Sequence, residues 1–153
     1  MTARTLSGGC YCGAVGYDVA DAFAYALSCH CSDCRRTTGS AFKPFAGIER
    51  RHLTLTKGES DLHLVGAAEN HDAHCARCGS LLYSLVRAGE WAHVAMGTLI
   101  DAPTIRPSAH IFAGSKAPWH DITDGLPQYV GHTDGPLLEP GGAKDNEIAR
   151  VNR

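Results

Sequence analysis

Near the middle of the chain lies the segment Cys75-Ala76-Arg77-Cys78-Gly79, in which two thiols stand on one tight turn that a glycine closes. A similar turn near the N-terminus reads Cys10-Tyr11-Cys12-Gly13. Glycine lets the backbone curl so that its amides point at the sulfurs. Residues 10–13 and 75–79 are called the first and second knuckle below. Two knuckles far apart in sequence can supply the four thiolates of one closed, tetrahedral zinc site.

The other three cysteines stand close together at C-x-C-x-x-C spacing, in the segment Cys29-His30-Cys31-Ser32-Asp33-Cys34-Arg35-Arg36. Three sulfur ligands are one fewer than a closed structural zinc site uses, whereas a catalytic site keeps its fourth position open. We therefore interpret these three thiols as an open, catalytic metal site. Spacing alone also allows the cysteines of the first knuckle to join two of the central thiols, so it leaves the partition open.

Length and composition indicate a globular protein. The chain has 153 residues, of which 44% are hydrophobic and 20% charged, and its formal net charge of −2 disfavours a nucleic-acid partner. Residues 1–9 contain no signal-peptide-like apolar run, and no stretch is long and apolar enough for a membrane span, so we expect a cytoplasmic protein with no membrane partner. In that reducing compartment, clustered cysteines indicate metal ligands or redox centres rather than disulfides, and we favour metal ligands. The oligomeric state is not indicated.

Short alternating stretches predict a mainly β fold. Strands are expected over residues 4–7, 14–19, 40–48, 53–55, 62–64, 81–86, 91–95 and 109–112. One helical turn is expected from Ser32, as its cap, to Arg35, with Gly39 ending it. Trp119 is expected to cover the core. We predict a single zinc-binding domain over residues 1–130 and a poorly structured C-terminal tail over residues 131–153.

These residues carry a resemblance to a known family. The three cysteine segments, together with His110-Ile111-Phe112, Lys116-Ala117-Pro118-Trp119 and Asp124-Gly125-Leu126-Pro127, resemble the glutathione-dependent formaldehyde-activating enzyme (GFA) family, which also contains centromere protein V. The similar region runs over residues 6–128. The resemblance implies a β-rich, zinc-stapled fold similar to that of the Rab accessory exchange factor, with C-x-C and C-x-x-C knuckles. It also implies two zinc ions, held by Cys10, Cys12, Cys75 and Cys78 in a structural site and by Cys29, Cys31 and Cys34 in a second, glutathione-linked site.

The same resemblance implies an activity. The family's namesake reaction joins formaldehyde and glutathione into S-(hydroxymethyl)glutathione, which makes this chain a candidate carbon–sulfur lyase acting on glutathione or a similar small thiol. Cleavage of the carbon–sulfur bond of a glutathione adduct is a rival activity. The members related to centromere protein V suggest a different class of function, a zinc-stapled scaffold or interaction module without catalysis.

Thiol chemistry also suits the three-cysteine site on physical grounds. A zinc ion with three thiolates has a net charge of −1 and is a weak Lewis acid, so it should handle a thiol better than water. His30 and Asp33 are candidate proton donors, although a residue beside a ligand commonly points away and an aspartate there commonly begins a helix. Arg35 and Arg36 are candidates for binding substrate carboxylates, or solvated surface charges. We expect His71, His74 and His110 to be structural.

Overall fold

The structure is a computed structural model that describes residues 2–139. This part of the chain is mainly β, as predicted, with ten strands and one α-helix. The strands are β1 (Thr5–Gly9), β2 (Gly16–Ala20), β3 (Tyr25–Cys29), β4 (Lys43–Glu49), β5 (Leu53–Lys57), β6 (Leu62–Ala67), β7 (Asn70–Cys75), β8 (Leu81–Val86), β9 (Trp91–Ala95) and β10 (His110–Ile111), and the helix is α1 (Ser32–Thr38). No helix within residues 2–139 has the length and apolar character needed to cross a membrane.

The described chain forms two compact units, one of residues 2–26 and 45–106 and the other of residues 27–44 and 107–139. In the first unit, β1, β2 and β5 form an antiparallel sheet in that order. A second antiparallel set of strands runs in the order β4, β9, β8, β7, β6. The core of this unit is built from large apolar side chains with almost no exposure, among them Leu6, Val15, Tyr17, Val19, Leu53, Leu82 and Val94.

Two hairpins of the first unit carry the knuckles. The first knuckle joins β1 to β2, and the Cys10 amide donates to the Val15 carbonyl at 3.1 Å, which continues the hairpin ladder. The second knuckle joins β7 to β8, where the Cys75 amide donates to the Ser80 carbonyl at 2.9 Å. Close packing fixes the first hairpin, because a side chain at Gly8 would collide with the Tyr17 ring. Each knuckle is therefore the turn of a paired, partly buried hairpin.

The second unit carries the C-x-C segment between a strand and a helix. The end of β3 pairs in parallel with β10, with Ser28 opposite His110 and Cys29 opposite Ile111. Beyond the strand, the His30 amide still donates to the Ile111 carbonyl at 2.9 Å. Residues 131–139, the described part of the predicted tail, are tied back by the bonds Val130 N to Pro136 O at 3.0 Å and Leu138 N to Gln128 O at 2.7 Å. Residues 140–153 lie outside the described residues.

Several local predictions need correction. The helix runs to Thr38 instead of ending at Arg35, and its N-cap is Cys31 rather than Ser32, while Gly39 ends it at φ 63° as expected. The prediction that Trp119 covers the core is wrong. Its side chain is 72% exposed, whereas the neighbouring Ala117 is fully buried, so the small residue of that segment is the one that packs inward.

Candidate metal centres

The structure brings four cysteines of the first unit together. The Sγ atoms of Cys10, Cys12, Cys75 and Cys78 all lie within 4.8 Å of one another, and none of these thiols is in a disulfide. The Cys10–Cys12 sulfurs are 3.7 Å apart and the Cys12–Cys75 sulfurs 3.8 Å apart. A tetrahedral zinc with metal–sulfur bonds of about 2.3 Å has sulfur–sulfur edges of about 3.8 Å. The spacing of this four-cysteine centre therefore fits a zinc ion.

Each knuckle achieves this placement with a tight backbone turn that ends at a glycine. The Gly13 amide donates to the Cys10 carbonyl at 3.1 Å, and the Gly79 amide donates to the Cys75 carbonyl at 2.8 Å. The glycines have φ of 79° and 81°, in the left-handed region that side chains disfavour. A Cβ at either position would meet no atom within 4 Å, so glycine is needed here for its backbone conformation and not for space.

Hydrogen bonds converge on the sulfurs of the four-cysteine centre and link the two knuckles. The Val15 amide donates to Cys10 Sγ at 3.2 Å. The Ser80 hydroxyl accepts from the Tyr11 amide at 3.0 Å, so its own hydrogen is available to Cys78 Sγ at 3.2 Å. Donation by the Ser80 hydroxyl, and then by the Ser80 and Cys12 amides, lowers the pKa of Cys78 to about 5. The surroundings of Cys78 thus favour the thiolate form that a metal requires. The opposite holds at Cys12, where the effect of the Ala14 amide is outweighed by burial and the neighbouring thiols, which raise the pKa to about 11.

A second cluster, the three-cysteine centre, lies in the second unit. The Sγ atoms of Cys29, Cys31 and Cys34 lie within 4.8 Å of one another. Cys29 ends β3, Cys31 is the extended N-cap of α1 at φ −63° and ψ 157°, and Cys34 stands in the first helical turn. The Cys34 amide donates to Cys31 Sγ at 3.3 Å. A strand end followed directly by a helix cap thus gathers three thiols within six residues.

In the three-cysteine centre, each thiol strongly affects the ionisation of the others. Hydrogen bonds from the Cys29 and Cys34 thiols lower the pKa of Cys31 to about 2, and the Cys34 and Asp33 amides act in the same direction. The same sulfur–sulfur contacts, followed by burial, raise the pKa of Cys29. Three sulfurs this close cannot all be ionised unless a cation compensates their charge. The donor set is therefore suited to a soft metal ion.

His30, between two of these cysteines, is fully buried. Its Nε2 lies 2.8 Å from His110 Nδ1, and His110 Nε2 lies 2.9 and 3.0 Å from the two carboxylate oxygens of Asp124. Burial lowers the pKa of His30 to about 4, so its ring is neutral at physiological pH. Within the described residues, His30 Nδ1 has no hydrogen-bond partner.

The other site residues predicted from the sequence lie close to one of the two centres in the chain. Asp33 and Arg36 are exposed on α1, and Arg35 is half-buried with its Nε donating to the His30 carbonyl at 3.4 Å. His74 is not part of the four-cysteine centre, since its Nδ1 contacts the Gly79 carbonyl at 3.0 Å.

Sequence reasoning missed three residues near the three-cysteine centre. Lys43, at the start of β4, is only 6% exposed. Donation by the Cys29 thiol and the charge of Lys43 favour the Cys34 thiolate, but the Cys31 thiol and burial outweigh them and raise the pKa of Cys34 to about 11. His110 was expected to be merely structural, and Asp124 was noted only as part of a motif. Their partners lie 14 and 80 residues away in sequence, a separation that gives no local signal.

Comparisons with known proteins agree with these features. Residues 5–115, which contain all seven cysteines, match the family model described as glutathione-dependent formaldehyde-activating enzyme. A Halomonas elongata protein, provisionally named a glutathione-dependent formaldehyde-activating enzyme, is 30% identical over 132 residues, covering 76% of this chain and 80% of that protein. A crystal structure of a Rhodobacter sphaeroides protein is 26% identical with a TM-score of 0.54, covering 65% of this chain and 92% of that one.

Proposed function

Because this chain belongs to the glutathione-dependent formaldehyde-activating enzyme family, we propose that its three-cysteine centre holds a zinc ion and acts on glutathione or a similar small thiol. The proposed reaction joins the thiol to formaldehyde, or cleaves the carbon–sulfur bond of such an adduct. The four-cysteine centre is proposed to hold a second, structural zinc that fixes the two hairpins of the first unit.

The observation that supports an open site is the difference in ligand number. Four sulfurs converge in the first unit, but only three converge in the second. Within residues 2–139, no histidine or carboxylate joins the three sulfurs as a fourth ligand. A zinc ion bound by three thiolates would supply weak Lewis acidity and one position at which a thiol can bind as thiolate. A scaffold whose own chain fills that position is less well supported by this arrangement.

The proposed addition requires little from the protein beyond correct positioning of the two reactants. In the addition, the thiol sulfur bonds to the carbonyl carbon, the carbon–oxygen double bond becomes single, and the thiol proton ends on the oxygen. No group is oxidised or reduced. Holding the reactants together and supplying one proton carrier are sufficient contributions for such a step. Of the two candidates, Asp33 is exposed beside Cys34 and can be reached from solution, whereas the His30 ring is enclosed.

Arg35 and Arg36 are proposed to attract the carboxylates of a glutathione-like peptide. Both stand on α1, directly after the last cysteine of the centre, and neither guanidinium is in an ion pair within the described residues. Arginine suits this role because its planar group can bind a carboxylate through two hydrogen bonds.

Titration calorimetry of the zinc-loaded protein with glutathione, in two buffers of different ionisation enthalpy, tests the proposal. We expect release of about one proton on binding, because only the thiolate ligates. The affinity should weaken as pH falls, since protons then compete with zinc for the sulfur. Absence of binding at millimolar glutathione would refute the thiol function and leave the zinc scaffold as the remaining interpretation.

The double variant Arg35→Ala/Arg36→Ala tests carboxylate recognition in the same assay. It should weaken glutathione more than it weakens 2-mercaptoethanol, which has no carboxylate. Arg106→Ala, which removes an exposed arginine outside α1, is the control and should leave both affinities unchanged. Equal losses for the two thiols would show that the arginines do not bind carboxylates.

A further inference from the structure

We propose that Asp124 is a positioning residue for the three-cysteine centre. Asp124 holds the His30 ring in place through His110. The ring in turn holds the Cys29-His30-Cys31 loop in the arrangement that binds a metal. The inference rests on the proposed metal-binding role of this centre. The family model matches residues 5–115, and Asp124 lies beyond that match, in the Asp124-Gly125-Leu126-Pro127 motif noted in the sequence.

The hydrogen bonds of this network have only one consistent direction when both rings are neutral. Hydrogen bonds from His110 and the Leu126 amide lower the pKa of Asp124 despite the opposing effect of its partial burial, so this group is a carboxylate at neutral pH. A carboxylate can only accept, so His110 Nε2 carries the hydrogen and donates. His110 Nδ1 must then accept from His30 Nε2 at 2.8 Å.

This direction assigns the tautomer of His30. Its hydrogen is on Nε2, and its Nδ1 is a bare acceptor, which agrees with the lack of a partner at that nitrogen among the described residues. His30 is fully buried and His110 is 3% exposed, so bulk water has little access to either ring. The network reaches the surface at Asp124, whose side chain is 49% exposed. The orientation of two buried rings therefore depends on one carboxylate at the surface.

The His30 ring lies behind the loop that carries two of the sulfurs. Alternate side chains of an extended backbone fall on the same side, and the Cys29 and Cys31 sulfurs lie together. The ring between them consequently projects from the opposite side, toward His110. A tilted contact with the Phe42 ring, at a centroid distance of 5.0 Å, and stacking on the His120 ring, at 6.1 Å, further confine it.

Loss of the carboxylate should therefore loosen the loop. Without Asp124, His110 can carry its hydrogen on either nitrogen. The hydrogen bond between His30 Nε2 and His110 Nδ1 then has no fixed direction, so it holds the His30 ring less firmly. Metal binding would then have to order the loop at a cost in affinity. Residues that are not ligands themselves but hold the ligands in place typically contribute about 10- to 100-fold in metal affinity.

The test compares Asp124→Ala with Asp121→Ala, which removes another exposed aspartate three residues earlier. Imidazole ¹⁵N NMR of the wild type should show hydrogen on Nε2 and none on Nδ1 for both His30 and His110. In Asp124→Ala, His110 should become a mixture of tautomers. Chelator competition should show a zinc affinity about 10- to 100-fold lower at the three-cysteine centre and unchanged at the four-cysteine centre. Asp121→Ala should alter neither measurement.

A wild-type His30 with hydrogen on Nδ1 would overturn the proposal, as would an Asp124→Ala protein with unchanged tautomers and zinc affinity. If Asp124→Ala does not fold, Asp124→Asn serves instead, because an amide keeps the size and a weaker acceptor, and a smaller affinity loss is then expected. No change in Asp124→Asn would also count against the proposal. Since no thiol is used, a protein that passes this test but binds no glutathione loses only the proposed thiol function.

Discussion

Both cysteine centres are built from sulfur atoms, but the sequence separation between the sulfurs is very different in the two. The four-cysteine centre joins two hairpins whose sulfurs in contact are 63 residues apart in sequence. The three-cysteine centre gathers its sulfurs within six residues, at a strand end and a helix cap. A metal that joins distant segments closes a long loop, and this restricts the unfolded chain much more than a local contact does. The comparison predicts that a metal in the first centre contributes more to stability, and it leaves the second centre as the one proposed to bind a thiol.

The largest effect is expected from Cys75→Ser. This residue is 1% exposed at the end of β7 and contributes one of the four sulfurs. Its loss should remove the metal that joins the hairpins. A structural zinc supplies roughly 10 kcal/mol or more of binding free energy, so we expect the free energy of unfolding to fall by several kcal/mol. Urea denaturation with parallel zinc analysis measures both quantities. A variant that keeps wild-type stability and both metals would show that the four-cysteine centre does not hold a stabilising metal.

A different result is expected from Cys31→Ser. Serine is a good N-cap, so it can still accept the Cys34 amide bond while no longer supplying a thiolate. We expect loss of zinc from the second centre and of thiol binding. The free energy of unfolding should fall much less than in Cys75→Ser, because three sulfurs within six residues close only a short loop and can also bind zinc in the unfolded chain. The same denaturation and zinc assays, with calorimetry added, report this. Unfolding comparable to that of Cys75→Ser would make the second centre structural too.

The smallest effects concern the glycines that shape each centre. Gly79→Ala places a side chain at φ 81° in the second knuckle, and Gly39→Ala does so at φ 63° after α1. Each substitution should cost about 1–2 kcal/mol of stability, because a left-handed conformation is unfavourable for alanine. Only Gly79→Ala should accelerate zinc release from the four-cysteine centre, as measured with a chromogenic chelator. Equal release rates would show that the knuckle turn tolerates strain without moving its sulfurs.

Cysteine spacing alone does not determine how the seven thiols are divided between the two centres. Spacing alone left the first knuckle free to pair with either of the other cysteine segments, and the grouping followed only from the family resemblance. The structure places the four knuckle sulfurs together, as the resemblance implied. Their role as zinc ligands stays a prediction.

Strand prediction succeeded for two mostly apolar stretches and failed where neighbours determine the conformation. β8 and β9 coincide with the predicted stretches 81–86 and 91–95. β7 was missed because Asn-His-Asp-Ala-His-Cys is mostly polar, and it is a strand because β6 and β8 pair with it on both sides. The link from Asp124 through His110 to His30 is likewise created by folding, and no local pattern marks it.

The Ser80 hydroxyl, which bridges the Tyr11 amide and the Cys78 sulfur, also has a consequence for the order of folding. Each hairpin is a local element of the kind that forms within about 1–10 μs, before any metal is needed. The bridge can form only when the two knuckles meet, which requires closure of a much longer loop and is the slower event. Metal capture by the four cysteines should therefore be a late step, which completes a pair of hairpins that have already formed.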